Sequence, residues 1–346
     1  MRPSFFHHLH PPTIPARQAR FRYTLGAGGI SVFLVLVIIL TGVLEMFFYV
    51  PTPEYAGASI QTITFLAPFG NLIRNLHYWA AQLLVGVSFV HMLRVIFTGA
   101  YAPPRRFNYL LGLILFILVL FLDFTGYVLR WDEGVRWALV AGTNLIKSIP
   151  GAGEHLYIFV MGGVKAGAAS LIRFYTWHIF GLMLILVVIG VWHLFKVRRD
   201  GGIAAPPPLL RQDSARITRF ELVRREVLAA LLAGALLLVL STFFSAPLDP
   251  PITSENVLVG SSADSRAPWF FLWVQQLLKY GDPFLMGVVI PAAILAFLAL
   301  IPYLLPWAEP VELGSWLPRG NRAAQIIVAL LAIFIIALTL LALIPV

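Results

Sequence analysis

Seven separate apolar stretches restrict the fold of this chain more than any other feature of its sequence. About 20 consecutive apolar residues form a helix long enough to cross the hydrocarbon core of a bilayer. The stretches therefore predict an all-α polytopic membrane protein, with an N-terminal four-helix bundle and a C-terminal three-helix part. In chain order, the predicted first to seventh spans cover about residues 25–50, 77–98, 108–129, 174–197, 226–245, 284–305 and 323–344.

The composition supports a membrane protein and restricts its chemistry. Of the 346 residues, 59% are hydrophobic and 12% are charged, whereas a soluble domain carries about 25% charged residues to keep its surface wetted. The chain has no cysteine. This excludes disulfides, iron–sulfur clusters ligated by this chain and thioether-linked haem. A metal must therefore be held by His, Met or carboxylate side chains.

The distribution of charge predicts the orientation in the membrane. An odd number of spans divides the loops into two sets on opposite sides. The set that includes the N-terminus carries 17 Lys/Arg and 6 Asp/Glu, whereas the opposite set carries 8 of each. Cytoplasmic loops carry the excess of basic residues, so we expect a cytoplasmic N-terminus in the plasma membrane. The last two carboxylates, Glu45 and Asp123, lie inside predicted spans.

The loops divide the chain into four predicted regions. Residues 1–24 form a cytoplasmic N-terminal segment, and residues 25–197 form the four-helix bundle. Residues 198–225, rich in Pro and Arg, read as a cytoplasmic linker to the three-helix part at 226–346. The segment between the third and fourth spans is too long for a tight turn, so we expect short helices there on the outer membrane surface.

Four of the eight histidines lie in two of the predicted spans. His77 and His91 are 14 residues apart in the second span, and His178 and His193 are 15 apart in the fourth. At 100° per residue each pair lies on one helix face, to within about 40° and 60°. The two spans run in the same direction, so His77 and His178 share an outer depth and His91 and His193 an inner one. Two imidazoles at each depth suit two six-coordinate haems in a helix bundle. The alternatives are isolated polar core residues or a proton path.

Arginines and glycines accompany these histidines. Arg74, Arg94 and Arg173 lie within five residues of a histidine at the membrane edges, where a guanidinium could pair with a haem propionate. Arginines at span ends also serve as plain anchors. Gly28 and Gly42 are 14 residues apart in the first span, and the absence of a side chain there could let a flat macrocycle lie against the backbone.

These residues together resemble the cytochrome b subunit of quinol:cytochrome c oxidoreductases. The resemblance rests on the order of spans, the paired histidines, the glycine pair, and the strings IRNLH (73–77), TGY (125–127) and RFYTWH (173–178). The 15-residue spacing in the fourth span and the end of the chain after the seventh are similar to the photosynthetic plastoquinol-oxidising branch, with its two parts fused here. That branch tethers a third haem to a cysteine where Thr24 stands, so we expect no covalent haem on this chain.

The resemblance implies cofactors, partners and an activity. It implies two non-covalent b-type haems, an outer one on His77 and His178 and an inner one on His91 and His193. It also implies quinol oxidation at an outer site, electron transfer to a Rieske iron–sulfur protein and a c-type cytochrome, an inner quinone site, and a dimeric complex that releases protons outside.

The outer site departs from the pattern of this family. Relatives carry Pro-Glu-Trp-Tyr where this chain has Ala-Pro-Trp269-Phe270, so the proton-accepting glutamate is missing. The string after Tyr127 has Arg130 in place of proline. We expect Asp123, four residues before Tyr127, or Glu45 to take over the proton role, because a charge inside a span is costly unless it is used or paired. The alternative for Asp123 is an ion pair with Arg130 or another arginine, and Asp132 and Glu133 are other candidate bases.

Two residues are candidates for the inner quinone site. Glu226 resembles a carboxylate that relatives place near the inner quinone, and Arg198 could face a propionate or the quinone; both could also be topology determinants. A dihaem anchor that passes electrons one way between quinone and a peripheral oxidoreductase is the alternative function. A transporter is disfavoured, since the chain shows no inverted repeat.

Overall fold

The computed structural model describes residues 12–205, 215–252 and 266–344. Within them, seven helices are long and apolar enough to cross a membrane, which confirms the predicted all-α fold. The spans are Ala27–Met46, Gly70–Phe97, Arg106–Leu129, Ala168–Arg199, Arg219–Phe243, Leu285–Leu304 and Arg319–Leu343. Residues 206–214 of the predicted linker and 1–11 of the N-terminal segment lie outside the described residues.

Several spans begin earlier than the apolar runs indicated, two of them by about seven residues. The second span begins at Gly70 instead of about residue 77, and the fifth begins at Arg219 instead of about residue 226. Charged and polar residues interrupt both runs there, but a helix continues through the interfacial layer as long as its backbone bonds are made. The fifth span starts with a side-chain cap, because the Thr218 hydroxyl accepts a hydrogen bond from the Glu221 backbone N–H at 3.3 Å.

Short helices cover the end of the four-helix part that carries His77 and His178, which is called the outer end below, and two of them lie between the third and fourth spans as expected. They comprise Arg136–Lys147 and Gly153–Met161, and a further outer helix, Ala56–Phe65, lies between the first and second spans. Trp131, and Tyr157 of the helix Gly153–Met161, are fully buried and belong to one hydrophobic cluster. These helices close the outer end of the bundle over the space between the spans.

A two-stranded antiparallel sheet joins the N-terminal segment to the end of the linker. Strand β1 (Thr13–Pro15) pairs with strand β2 (Arg216–Thr218), and Ile14 lies opposite Ile217. The Arg216 guanidinium also donates to the Thr13 hydroxyl and carbonyl, each at 2.8 Å. The entry to the fifth span is therefore fixed to the beginning of the chain.

The second span connects the two parts of the molecule at both of its ends. Near its outer end, the Asn75 amide donates to Ser241 O and accepts from Ala246 N–H, both at 2.9 Å. At its inner end, the Asn321 amide donates to Ile96 O at 2.8 Å. Asn75 and Asn321 are buried, so these bonds carry a substantial cost if broken.

Candidate haem and quinone sites

The outer site is a cavity of about 460 Å³ that contains His77 and His178 in its lining. The two imidazole ring centroids are 6.3 Å apart, with the ring planes inclined at 61°. Metal–imidazole bonds of about 2.0–2.1 Å place two opposed ring nitrogens about 4 Å apart, and ring centres lie roughly 1 Å behind those nitrogens. The observed separation therefore leaves room for one metal ion between the two rings.

Hydrogen bonds fix which nitrogen of each outer histidine is free. The Thr41 hydroxyl donates to Val37 O at 2.8 Å and lies 3.0 Å from His77 Nδ1. Its single hydrogen is used, so Nδ1 must be the donor in that contact. His178 Nδ1 lies 3.1 Å from Leu122 O, an acceptor, and so also carries a hydrogen. Nε2 of both rings is left with a lone pair for a metal, in the orientation that partners of ligating histidines usually set.

The inner histidines show the same pattern in part. His193 Nδ1 lies 3.2 Å from Asn108 O, which leaves its Nε2 as the free ligand atom. His91 interacts electrostatically with His193, so the two inner rings are close. His91 Nδ1 is buried with no hydrogen-bond partner among the described residues. The structure thus brings together both predicted histidine pairs, one pair at each depth.

A glycine from a neighbouring span faces each of the four histidines. An added Cβ at Gly42 would lie 3.0 Å from His77 Cε1, and one at Gly28 would lie 3.7 Å from His91 Cε1. Gly126 and Gly112 of the third span approach His178 and His193 in the same way, at 2.8 and 3.3 Å. This role of the third span was not predicted, although Gly112 and Gly126 repeat the 14-residue spacing of Gly28 and Gly42.

A π-helical turn explains how the unequal histidine spacings are reconciled. Residues Trp177–Gly181 form a π-helix, in which the Leu182 N–H bonds to Trp177 O. A π turn closes over one residue more than an α turn. The 15-residue spacing of His178 and His193 therefore acts as 14, which matches the all-α second span.

The arginines predicted as propionate partners have different surroundings. Arg74 is buried and lines the outer cavity, and it donates to the carbonyls of Ala246 and Pro247. Arg94 is buried; it donates to Ala204 O at 3.3 Å, and its Nε has no hydrogen-bond partner among the described residues. Both positions suit an anion between the spans.

The prediction for Arg173 meets a different arrangement. Its guanidinium donates to the carbonyls of Ile158 and Phe159 at the end of an outer helix, and Arg173 is not part of the outer cavity lining. Orphan carbonyls at a helix end attract cations. In this structure Arg173 therefore caps the outer helix, and its role beside a propionate stays a prediction.

Five further residues predicted at the outer site, together with Arg130, line the cavity or pack beside it. Glu45 lines the cavity, and its Oε1 is buried without a hydrogen-bond partner among the described residues. Trp269 lines it as well, whereas Phe270 is buried in the helical core behind it. Tyr127 donates to Gly134 O. The six are Glu45, Asp123, Tyr127, Arg130, Trp269 and Phe270.

The alternative ion pair of Asp123 with Arg130 is not formed. Arg130 binds Asp132 and Asp249 at 2.6 and 2.8 Å. Asp123 instead accepts from Gln82 Nε2 at 3.0 and 3.3 Å. Burial raises the pKa of the Asp132 carboxyl, and the guanidinium of Arg130 opposes this. Glu133, the other candidate base, is exposed.

At the inner face, Arg198 and Glu226 lie close enough to interact electrostatically. Glu226 is exposed and belongs to the second turn of the fifth span instead of opening it. Arg225 pairs with Glu221 at 2.9 Å, so it leaves Glu226 to Arg198. The predicted inner carboxylate and arginine are thus brought together from two spans.

Comparison with known proteins supplies the family. The profile of cytochrome b/b6/petB matches residues 15–201, which is more than half of the chain. This chain belongs to the cytochrome b/b6 family. It is 40% identical over 192 residues to cytochrome b6 of Heliobacterium modesticaldum, covering 56% of this chain and 88% of that protein. It is 33% identical over 180 residues to the menaquinol:cytochrome c reductase cytochrome b subunit of Geobacillus thermodenitrificans, covering 52% and 80%.

A solved structure extends the similarity to the remaining spans. A chain of a hyperthermophilic respiratory Complex III matches 93% of this cytochrome b with a TM-score of 0.81 at 22% identity, and 84% of that chain is covered. The three C-terminal spans therefore follow the same fold, beyond the limit of the family profile. The protein is a multi-pass membrane cytochrome b with b-type haem, and it works with partner subunits in a quinol-oxidising electron-transfer complex.

Proposed function

We propose that this cytochrome b holds two non-covalent b-type haems, one on His77 and His178 and one on His91 and His193. The observation that carries the proposal is the pair of facing imidazoles in the outer cavity, whose Nδ1 atoms are occupied and whose Nε2 atoms are free. When bound, each haem supplies reversible one-electron transfer at its iron. Arg74 and Arg94 would hold the propionates, and Gly28, Gly42, Gly112 and Gly126 leave the space beside the ligands.

The outer cavity is proposed to take the quinol beside the outer haem and to be the site of quinol oxidation. Its lining is mostly apolar, as an aromatic ring requires, and it contains Tyr127 and Trp269 together with the carboxylates Glu45 and Asp123. Both carboxylates are close enough to the cavity to receive protons, which a buried reaction must release. At the inner face, Glu226 would deliver protons to a bound quinone, and Arg198 would hold Glu226 or the quinone oxygen in place.

The proposed setting is a complex in the plasma membrane with a cytoplasmic N-terminus. The excess of basic residues on the side of the N-terminus supports this orientation. A Rieske iron–sulfur protein and a c-type cytochrome are the proposed partners, since this chain has no cysteine for either cofactor. The four-helix part at 25–197 and the three-helix part at 226–346 are proposed as separate units in one dimer-forming chain.

The decisive experiment separates bifurcated from one-way electron transfer. We expect an oxidant pulse, given to membranes with reduced quinol and an inhibitor of the inner site, to cause extra reduction of the b haems. In bifurcation the first electron must leave to the high-potential partner before the second reaches this chain. Oxidation of the b haems by the pulse, without a transient reduction, would contradict the proposal and favour the one-way dihaem anchor.

A further inference from the structure

A chain of three side chains crosses the outer cavity and joins the two parts of the molecule. The Trp269 indole donates from Nε1 to Gln82 Oε1 at 2.7 Å. Gln82 Nε2 then donates to Asp123 Oδ1 at 3.0 Å and Oδ2 at 3.3 Å. Trp269 lies before the sixth span, Gln82 in the second and Asp123 in the third, and all three line the cavity.

The direction of these bonds is fixed by chemistry. An indole N–H can only donate, so the Gln82 oxygen must face Trp269 and the Gln82 nitrogen must face Asp123. Asp123 therefore accepts hydrogen bonds from the Gln82 amide nitrogen. An amide has no charge, so it holds the carboxylate in place without neutralising it as an arginine would.

This arrangement differs from the usual way a buried carboxylate is satisfied. Arg130, directly after the third span, is already bound to Asp132 and Asp249. Asp123 lies inside a span, where a charge is costly. It lines the cavity and has no cationic partner among the described residues. Such a carboxylate is suited to proton transfer.

We infer that Asp123 is the general base for quinol in the outer cavity, and that Gln82 is the positioning residue that couples it to Trp269. The inference rests on the proposed function and names the acid–base group of that same site. One hydroxyl O–H bond of the quinol breaks and its proton bonds to a carboxylate oxygen of Asp123. The second proton goes to a base of the partner subunit, and the two electrons leave to the one-electron acceptors of the complex.

Asp123 lies on the third span, whereas the glutamate of the resembling family lies in the loop before the sixth span. Trp269 is the residue of that loop that takes part, because its indole donates to Gln82 Oε1 at 2.7 Å. The position of the base therefore depends on the docking of the three-helix part onto the four-helix part. Removal of either end of the chain of bonds should affect the same kinetic step.

The test uses the haem-loaded complex with duroquinol as the reductant. We expect Asp123→Asn to lower kcat by about 100-fold or more, the usual contribution of a general base, with little change in KM. Asp123→Glu keeps an ionisable carboxyl and should restore much of kcat. The redox-difference infrared spectrum should lose a carboxyl band in Asp123→Asn, and the dithionite-reduced haem spectrum should be unchanged.

Gln82 and Trp269 are tested as a pair. Gln82→Leu and Trp269→Phe should each lower kcat, and the double variant should be no slower than the slower single one, because each breaks the same connection. Gln18→Leu is the matched control: Gln18 is a half-buried amide before the first span that donates to Gly201 O at 3.3 Å and does not line the outer cavity, and its loss should leave kcat unchanged.

The outcomes separate this inference from the proposed function. Wild-type kcat in Asp123→Asn, in a complex that oxidises duroquinol, overturns the inference and leaves the proposed function intact. A wild-type complex whose b haems duroquinol cannot reduce overturns the proposed function itself. Should Asp123→Asn fail to load haem, fully additive losses in the Gln82 and Trp269 pair would overturn the inference.

Discussion

Glycine lies beside each of the four histidines, where its lack of a side chain leaves space for the imidazole ring. The four glycines that face histidines come from two different spans, and each meets the Cε1 edge of one imidazole. A methyl group in that space must push the ring or the helix away, and such overpacking typically costs about 1–3 kcal/mol. The distance between the added Cβ and the imidazole therefore determines how well each position tolerates a methyl group.

Alanine substitutions at these glycines should weaken haem binding in a graded order. We expect Gly126→Ala, at 2.8 Å from His178 Cε1, to be the most severe, followed by Gly42→Ala and Gly112→Ala, with Gly28→Ala at 3.7 Å the mildest. By the cost above, Gly126→Ala should lower affinity for the outer haem by about 10- to 100-fold. Haem per polypeptide, measured by pyridine haemochrome, reports the result.

The control for this series is a glycine in another span of the same bundle, with free space around it. Gly86→Ala in the second span meets nothing within 4 Å and should keep full haem content. Equal haem loss in Gly28→Ala and Gly126→Ala would show that distance to the imidazole does not decide the effect.

At the scale of the helix, the geometry of the fourth span depends on its π turn. The second span is α-helical between its histidines, whereas the fourth accommodates one more residue at Trp177–Gly181. The sixth span also starts with a π turn, at Leu285–Val289. Such turns are uncommon and often lie at functional sites, and the one in the fourth span keeps His178 and His193 on the same helix face.

Single-residue deletions test this account. Removal of Ile179 within the π turn should return the segment to an α turn with 14-residue spacing, so both haems should be retained. Removal of Gly86 in the second span should rotate His91 by about 100° relative to His77 and abolish one haem. Redox titration of the haem spectrum counts the components, and loss of a haem on deletion of Ile179 would refute the role of the π turn.

The whole molecule depends on contacts that cross between its two parts. Three kinds of contact connect the four-helix part or the N-terminal segment with the three-helix part or the end of the linker. They are the pairing of strands β1 and β2, the hydrogen bonds of the Asn75 and Asn321 amides, and the ion pair of Arg130 with Asp249. The two parts are thus expected to associate even when the connection between them is cut.

A break between residues 205 and 215 should leave both pieces associated. We expect the two polypeptides, expressed together, to co-purify with full haem content. Adding Asn75→Leu to the divided chain should reduce co-purification, because Ser241 O and Ala246 N–H would be left buried without partners at about 1–3 kcal/mol each. Complete separation of the unmodified pieces in mild detergent would contradict this expectation.

The sequence by itself determined the number of spans, the two depths of the histidines and the cofactor class. Apolar length and helical periodicity are local properties, and they depend little on how the helices pack. Gly28 and Gly42 were also recognisable, because their spacing repeats that of the histidines. Gly112 and Gly126 carried the same signal and were missed for this role.

Only the tertiary structure decided which side chains meet. Arg173 lies five residues before a histidine but caps an outer helix, and Arg130 follows Asp123 by seven residues but binds Asp132 and Asp249. Asp123 meets Gln82, 41 residues away, which meets Trp269, 187 residues away. Hydrogen bonds are short-ranged and directional, so partners from different spans depend on the rotation and tilt with which the helices pack.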